Sequence, residues 1–329
     1  MRDSRWTWHG GGIAAARAHF DEGPDAWLDL STGINPHAWP GADAISIDWR
    51  SLPDEHGLRG LEQAAAAHFG CDAGHVCAVP GTEVGLRLAG ALLPRPVFHL
   101  VPTYRTHGEM VAESLPLPIE EVAAADGATL VLANPNNPDG RLLGRDALID
   151  LLARRRRTGW LVLDEAFADC HPELSLASEI NDRRRLLIFR SFGKFFGLAG
   201  LRLGFVLGPR DVIGQLRQRL GAWPVSAAAI AIGTAAYRDA DWTCGMRTRL
   251  VREAEALDAG LLGLGYTAVG GCPLFRLIEC SAAHPLFERL AGRSILTRPF
   301  DAQPGWLRIG LPGSDEGLAR LLAAITGRG

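Results

Sequence analysis

A single lysine stands in this 329-residue chain, although lysine and arginine together number 34. That residue is Lys194, and every other basic side chain is arginine. A guanidinium supplies charge and forked hydrogen bonds, but it stays protonated and is a poor nucleophile. One amine kept in such a chain points to a task that arginine cannot perform, and Schiff-base formation leads those tasks. Survival of one lysine under an arginine-favouring composition is the bland alternative, so the neighbours must decide. Lys194 lies in Ser191-Phe192-Gly193-Lys194-Phe195-Phe196-Gly197, just past the apolar run Leu186 to Arg190. The carboxyl edge of a strand is where α/β sheets bind ligands. Gly193 and Gly197 let the backbone approach a ligand closely. Ser191 and Arg202 add a hydroxyl and a guanidinium suited to a phosphate.

Three further segments carry chemistry upstream of Lys194. Pro80-Gly81-Thr82-Glu83 opens a helical stretch after a strand-like run. Its backbone amides and helix dipole suit a phosphate, although Gly-Thr before a helix also reads as a simple cap. Asn134-Pro135-Asn136-Asn137-Pro138-Asp139-Gly140 follows another apolar run and reads as a rigid turn, with Asn137 as a polar contact. Leu161-Val162-Leu163-Asp164-Glu165-Ala166-Phe167 ends a third run in an acid. That pattern is shared with the Walker B strand of nucleotide hydrolases, which also needs a GxxxxGK[ST] loop. Ile188 stands where that loop needs its first glycine, and Phe195 follows Lys194, so the nucleotide reading falls.

Together these segments resemble the pyridoxal-phosphate enzymes of the aspartate-aminotransferase fold (fold type I). The lysine segment carries the likeness first, and Asn134 to Gly140 matches that family's Asn-Pro-x-Asn-Pro-x-Gly. The resemblance implies pyridoxal 5′-phosphate as cofactor, with Lys194 as its Schiff-base partner. Asp164 is then the acid at the pyridine nitrogen, and Tyr104 of Pro102-Thr103-Tyr104 the ring stacked over it. Gly81, Thr82, Glu83, Asn137, Phe167, Ser191 and Arg202 complete the expected cofactor contacts, with Lys194, Asp164 and Tyr104 as the catalytic set. Two positions depart from the family: many members carry Tyr at Phe167 and Ser or Thr at Gly193.

The N-terminal segment narrows the resemblance. His9-Gly10-Gly11-Gly12 is followed by Leu28-Asp29-Leu30-Ser31-Thr32-Gly33-Ile34-Asn35-Pro36. This pair is similar to the opening of the threonine-phosphate decarboxylases of cobalamin biosynthesis. Histidinol-phosphate aminotransferases share the rest but, as a rule, not the His-Gly-Gly start. The likeness implies decarboxylation of O-phospho-L-threonine to (R)-1-amino-2-propanol O-phosphate. A transaminase acting on histidinol phosphate, or on a similar phosphorylated amine, remains the alternative. Arg298 and Arg308 fall where the family places substrate-binding arginines, and His9, Gly10, Asn35 and Asn137 join them as expected substrate contacts.

The elements that must position these residues follow from periodicity. Short, nearly continuous apolar runs at Val76 to Val79, Val97 to Val101, Thr129 to Ala133, Trp160 to Asp164, Leu186 to Arg190 and Leu203 to Leu207 predict strands buried on both faces of a mainly parallel sheet. Helical stretches such as Gly81 to Leu93 and Arg145 to Arg156 alternate with them, so the class is α/β. Beyond Gly208 the pattern predicts a smaller α+β domain, with helices over Asp211 to Leu220, Ser226 to Tyr237, Asp241 to Leu262 and Asp315 to Ile325. Shorter strands fall at Tyr266 to Val269, Leu274 to Ile278, Ile295 and Leu307. The expected division is an N-terminal arm (1–32), a large cofactor-binding domain (33–209) and a small C-terminal domain (210–329).

Composition excludes other classes. Net charge is −3, whereas nucleic-acid binders carry a basic face. The runs Arg154 to Arg157 and Arg183 to Arg185 read as helix-end charge. No apolar run approaches the roughly 20 residues that span a bilayer, and Met1 to Trp6 lacks a signal-peptide core. Six scattered cysteines form no CxxC pair, so neither a metal site nor a disulfide framework is expected. A cytoplasmic protein with no nucleic-acid or membrane partner is the resulting expectation, and the resemblance implies a homodimer acting on a small phosphorylated amino acid.

Overall fold

The computed structural model describes residues 5–20, 26–155 and 158–327; residues 1–4 and the Arg156–Arg157 part of the basic run lie outside them. Residues 38–137 and 142–245 form one compact unit around a seven-stranded sheet. Its strands are β1 (Val76–Val79), β2 (Val97–Val101), β3 (Leu115–Pro118), β4 (Thr129–Ala133), β5 (Leu161–Asp164), β6 (Leu186–Ser191) and β7 (Gly204–Leu207). Their order is β1-β7-β6-β5-β4-β2-β3. The pairings β3/β2, β2/β4, β4/β5 and β5/β6 are parallel, while β7 runs antiparallel to β6 and β1.

Burial explains why the central strands read as apolar runs. Every residue of β4, β5 and β6 is buried, as expected for strands covered on both faces. Val131, Val162, Leu187, Phe189 and Val206 build one core with Leu86 and Ala89 of the helix Thr82–Gly90. Val212, Ile213 and Leu216 of the helix Arg210–Leu220 join the same core. In the ladder Ala133 pairs with Asp164, and Asp164 with Phe189. The polar residues that follow these strands therefore emerge side by side at one sheet edge.

A helix and an edge strand are among the elements of this unit absent from the periodicity reading. The helix Glu55–Phe69 is bounded by an Asp54 cap, which accepts from the Gly57 amide, and by Gly70 in the left-handed region. Strand β3, Leu-Pro-Leu-Pro, contains two prolines and lies at the sheet edge. An edge is the place where a strand tolerates residues that cannot donate to a ladder.

The described parts of residues 1–37, with 138–141 and 246–329, form the second unit. An antiparallel sheet joins Arg298–Pro299, Trp306–Gly310, Phe275–Glu279 and Ala268–Val269 in that order. The helices Ala283–Ala291 and Asp315–Thr326 belong to the same unit. Leu28–Asp29 pairs in parallel with Ile295–Leu296, a contact joining the N-terminal segment to this α+β unit. The helix Ile13–Phe20 belongs to this unit as well.

Candidate active site

Lys194 sits in the single helical turn Phe192–Phe195 that follows β6. Its Nζ lies 5.7 Å from the centre of the Phe167 ring, so the amine and the segment following Asp164 meet. Gly193, beside it, has a packing reason for its identity. A Cβ there would stand 2.6 Å from Ala199 Cα, closer than real Cβ contacts allow. The glycine that departs from the resembled family thus lets this turn pack against the loop that follows.

Asp164, at the end of β5, is nearly buried. One carboxylate oxygen accepts from the Ala166 amide at 3.0 Å, and the other lies 3.0 Å from His107 Nε2. His107 is fully buried, and its Nδ1 lies 2.7 Å from Thr103 Oγ1. Thr103, His107 and Asp164 form a chain that fixes the rotamer of the acid. Sequence reasoning missed His107 and Thr103. Their four-residue spacing in Thr103-Tyr104-Arg105-Thr106-His107 is visible, but their link to Asp164 spans 57 positions.

Tyr104 is held edge-on to His107, with ring centres 5.8 Å apart and planes at 86°. Its hydroxyl donates to Glu83 Oε2 at 3.0 Å, and Thr106 donates to the same oxygen at 2.7 Å. Burial pushes the Tyr104 phenol above its ordinary pKa, and the adjacent Glu83 charge adds to this. Burial also acts to raise Glu83, but hydrogen bonds from Thr106, Arg87 and Tyr104 outweigh it and hold the carboxyl below its ordinary value. The Glu83 side chain is therefore engaged with Tyr104 and Thr106. Its backbone amide belongs to the first turn of the helix Thr82–Gly90.

That helix end has the geometry of an anion cradle. Gly81 precedes the helix at φ 91°, a conformation that favours glycine. A Cβ on Gly81 would lie 2.7 Å from Arg202 Nη2, and one on Gly204 would lie 2.8 Å from the Thr82 amide nitrogen. Arg202 itself adopts the left-handed conformation, φ 56°, and Ser191 pairs with Gly204 in the ladder. A guanidinium held at the positive end of a helix is unfavourable by itself. An anion between the two relieves that repulsion, and first-turn amides are ready donors to it. The donor set of Gly81, Thr82, Glu83, Ser191 and Arg202 therefore fits a phosphate. With an acid at Asp164, rings at Tyr104 and Phe167, and an amine at Lys194, the unit fits a phosphorylated aromatic aldehyde.

In the turn after β4, the Asn134 side chain donates to the Leu143 carbonyl and accepts from the Leu143 amide, and the Asn136 side chain donates to the Pro102 carbonyl. These two asparagines shape the turn that ends at the half-buried Asn137.

The remaining expected residues belong to the other unit. Arg298 and Arg308 are direct cross-strand partners. Arg308, 2% exposed, donates to the Ser31 carbonyl at 2.8 Å, and its guanidinium lies 4.9 Å from the Phe275 ring centre. Arg298 donates to the Trp8 carbonyl at 3.3 Å. Burial, and then the Arg298 charge, push Arg308 well below the ordinary guanidinium pKa. The Gly11 amide donates to Ser31 Oγ at 2.8 Å, and a Cβ on Gly10 would strike the Ser31 carbonyl. The glycines of the N-terminal arm therefore dock on the same Ser31 that receives Arg308. His9 is exposed beside Trp8. Asn35 is buried, and its side-chain oxygen accepts from the His37 amide.

Among the described residues there is no cluster of three or more metal-ligating side chains, and no helix is long and apolar enough to cross a membrane. The family model for class I and II aminotransferases matches residues 117–325. A threonine-phosphate decarboxylase from Sinorhizobium sp is 40% identical over 325 residues, covering 96% of this chain and 97% of the relative. Another, from Pseudomonas aeruginosa, is 40% identical and covers 97% of each chain. The solved histidinol-phosphate aminotransferase from Sinorhizobium meliloti, in complex with pyridoxal-5′-phosphate, superposes with a TM-score of 0.84 at 20% identity. It covers 96% of this chain and 95% of that one.

Proposed function

The chain belongs to the class I and II aminotransferase family, and we propose that within it the protein decarboxylates O-phospho-L-threonine to (R)-1-amino-2-propanol O-phosphate. Identity of 40% to threonine-phosphate decarboxylases over nearly the whole chain carries this reading. The pairing of Arg298 with Arg308 supports it from the structure. The substrate bears two anionic groups, and charge-assisted bonds to such groups are worth roughly 1.5–3 kcal/mol each.

Pyridoxal 5′-phosphate supplies, when bound, an electrophilic carbonyl and a pyridinium ring that draws electrons from the substrate. Lys194 offers the amine that holds the carbonyl carbon. The same Lys194 amine would be the group that delivers a proton to Cα. Asp164, fixed by His107 and the Ala166 amide, holds a proton at the pyridine nitrogen and so maintains the ring's positive charge. Tyr104, tied down by Glu83, and Phe167 supply the aromatic faces. Gly81, Thr82, Glu83, Ser191 and Arg202 bind the cofactor phosphate, with Asn137 at the ring's oxygen. Arg298, Arg308, His9, Gly10 and Asn35, with Asn137, bind the substrate's anionic groups. Orientation by these residues decides whether Cα loses its carboxylate or its hydrogen. We further propose that the protein works as a cytoplasmic homodimer.

Product analysis by NMR tests this. Holoenzyme mixed with O-phospho-L-threonine and no keto acid should release carbon dioxide and aminopropanol phosphate through many turnovers. Amino transfer from histidinol phosphate to 2-oxoglutarate, with no carbon dioxide from O-phospho-L-threonine, would replace the decarboxylase by the transaminase.

A further inference from the structure

Beneath the lysine-bearing strand lies a closed ionic cluster that the site described above does not use. Arg190 precedes Ser191 on β6 and lies four positions before Lys194, with its side chain 3% exposed. One guanidinium nitrogen donates to Glu165 Oε2 at 3.0 Å and the other to Asp169 Oδ1 at 2.6 Å. The guanidinium also packs over the Phe69 ring, 4.6 Å from its centre. Glu165 accepts further from Ser175 Oγ at 2.6 Å and from the Leu176 amide at 2.9 Å. Asp169 lies 2.9 Å from His68 Nε2. Both carboxylates are almost wholly buried.

The sequence positions of the two acids matter. Glu165 adjoins Asp164, and Glu165 and Asp169 stand two residues on either side of Phe167. The Glu165 amide donates to the Phe189 carbonyl at 2.9 Å, extending the β5/β6 ladder one residue past Asp164. One guanidinium on the lysine strand thus grips both ends of the turn that carries Phe167, whose ring stands 5.7 Å from Lys194 Nζ. Apolar residues of similar volume often give equal or better stability than a buried ion pair. What a guanidinium forked between two carboxylates adds is direction.

We propose that Arg190 is a positioning residue for the cofactor site. Through Glu165 and Asp169 it sets where Asp164 and Phe167 stand relative to Lys194, before any cofactor binds. This rests on the assignment of Lys194 and Asp164 to the cofactor given above. Asp169 fits the part: burial would raise its pKa, yet the Arg190 and His68 charges hold it far below the carboxylate range. It therefore stays ionised and keeps its grip on Arg190 across the working pH range.

Three readouts on purified protein test the proposal: the melting temperature of the apoprotein, the dissociation constant for pyridoxal 5′-phosphate, and the pH titration of the bound cofactor's absorption band. Arg190→Lys keeps the charge and removes the fork. The expected result is cofactor binding weaker by roughly 10-fold or more, the scale on which outer-shell partners act at a bound group, together with a displaced band titration. Glu165→Gln, which keeps shape and loses charge, should move both readouts in the same direction, and it carries the test if Arg190→Lys fails to fold. A lowered apoprotein melting temperature with an unchanged dissociation constant and band titration in the folded variants would make the cluster merely structural and overturn the proposal. Lys194→Ala serves as the control on the premise: if it keeps the covalent absorption band, the site assignment fails rather than the role of Arg190. Absence of carbon dioxide release by the wild type would sink the decarboxylase reading and leave these three readouts intact.

Discussion

Arg298 and Arg308 stand directly opposite each other on adjacent antiparallel strands, placing two cations on one face of the four-stranded sheet. Like charges so placed repel, and burial has already pushed Arg308 well below the ordinary guanidinium pKa. A bound anion turns that cost into affinity. Arg308→Lys keeps a cation but loses the planar fork. Loss of a charge-assisted contact of about 1.5–3 kcal/mol predicts a fall in kcat/KM of about 10- to 100-fold, carried mainly by KM. Steady-state kinetics with O-phospho-L-threonine checks this.

Asp164 is predicted to matter more to kcat than to binding. Asp164→Asn removes the negative charge while keeping the acceptor for the Ala166 amide. A loss of at least about 100-fold in kcat is expected, the scale on which one preorganised electrostatic contact acts. His107→Gln, which disturbs only the orientation of the acid, should cost less. Single-turnover measurements on the two variants give the ranking.

Gly81 tests the phosphate cradle. An alanine there must hold φ 91° and place its Cβ 2.7 Å from Arg202 Nη2. This positive-φ, extended backbone is essentially confined to glycine and costs another residue roughly 1–3 kcal/mol, and Arg202 must move as well. Gly81→Ala should therefore weaken cofactor binding, measured by titrating apoprotein with pyridoxal 5′-phosphate and following absorbance.

Gly193 tests whether the departure from the resembled family is structural. A serine at this position meets Ala199 Cα at 2.6 Å, and overpacking of this kind costs about 1–3 kcal/mol. Thermal melting of Gly193→Ser should show a lower transition temperature. An unchanged or higher one would mean that the loop from Ala199 yields freely.

The buried cluster gives stability a defined acid dependence. Asp169 has a folded-state pKa below its unfolded one, so its contribution is fully present above the ordinary carboxylate range near pH 4 and is lost as pH falls below it. Asp169→Asn breaks a buried pair, at a cost of about 3–5 kcal/mol at neutral pH. That deficit should shrink progressively below about pH 4. Urea unfolding of both proteins between pH 3 and pH 7 would be the check.

Much of this molecule is legible in its sequence because one lysine among many arginines marks the chemical centre. The buried strands β4, β5 and β6 carry their apolar runs on their faces, and the fold class read from them, like the family and the cofactor that the motifs resemble, agrees with the relatives found. Direction of a strand is not written in such a run: Leu203 to Leu207 reads like its neighbours, yet β7 runs antiparallel to them. Strand β3 hides behind Pro116 and Pro118. The helix Glu55–Phe69 carries its signals in Asp54 and Gly70, away from the chemistry-bearing segments. His107 and Arg190 escape for a different reason. Their partners, Asp164 and the pair Glu165 and Asp169, lie 57, 25 and 21 positions away, and only the folded sheet brings them within reach.

Every assignment above converges on one amine. Borohydride reduction of the holoenzyme, followed by digestion and mass spectrometry, fixes the cofactor to whichever nitrogen holds it. A single pyridoxyl group is expected on the peptide that contains Lys194, with loss of that adduct in Lys194→Ala. An adduct on the α-amine, or cofactor bound with no reducible link to Lys194, would contradict it.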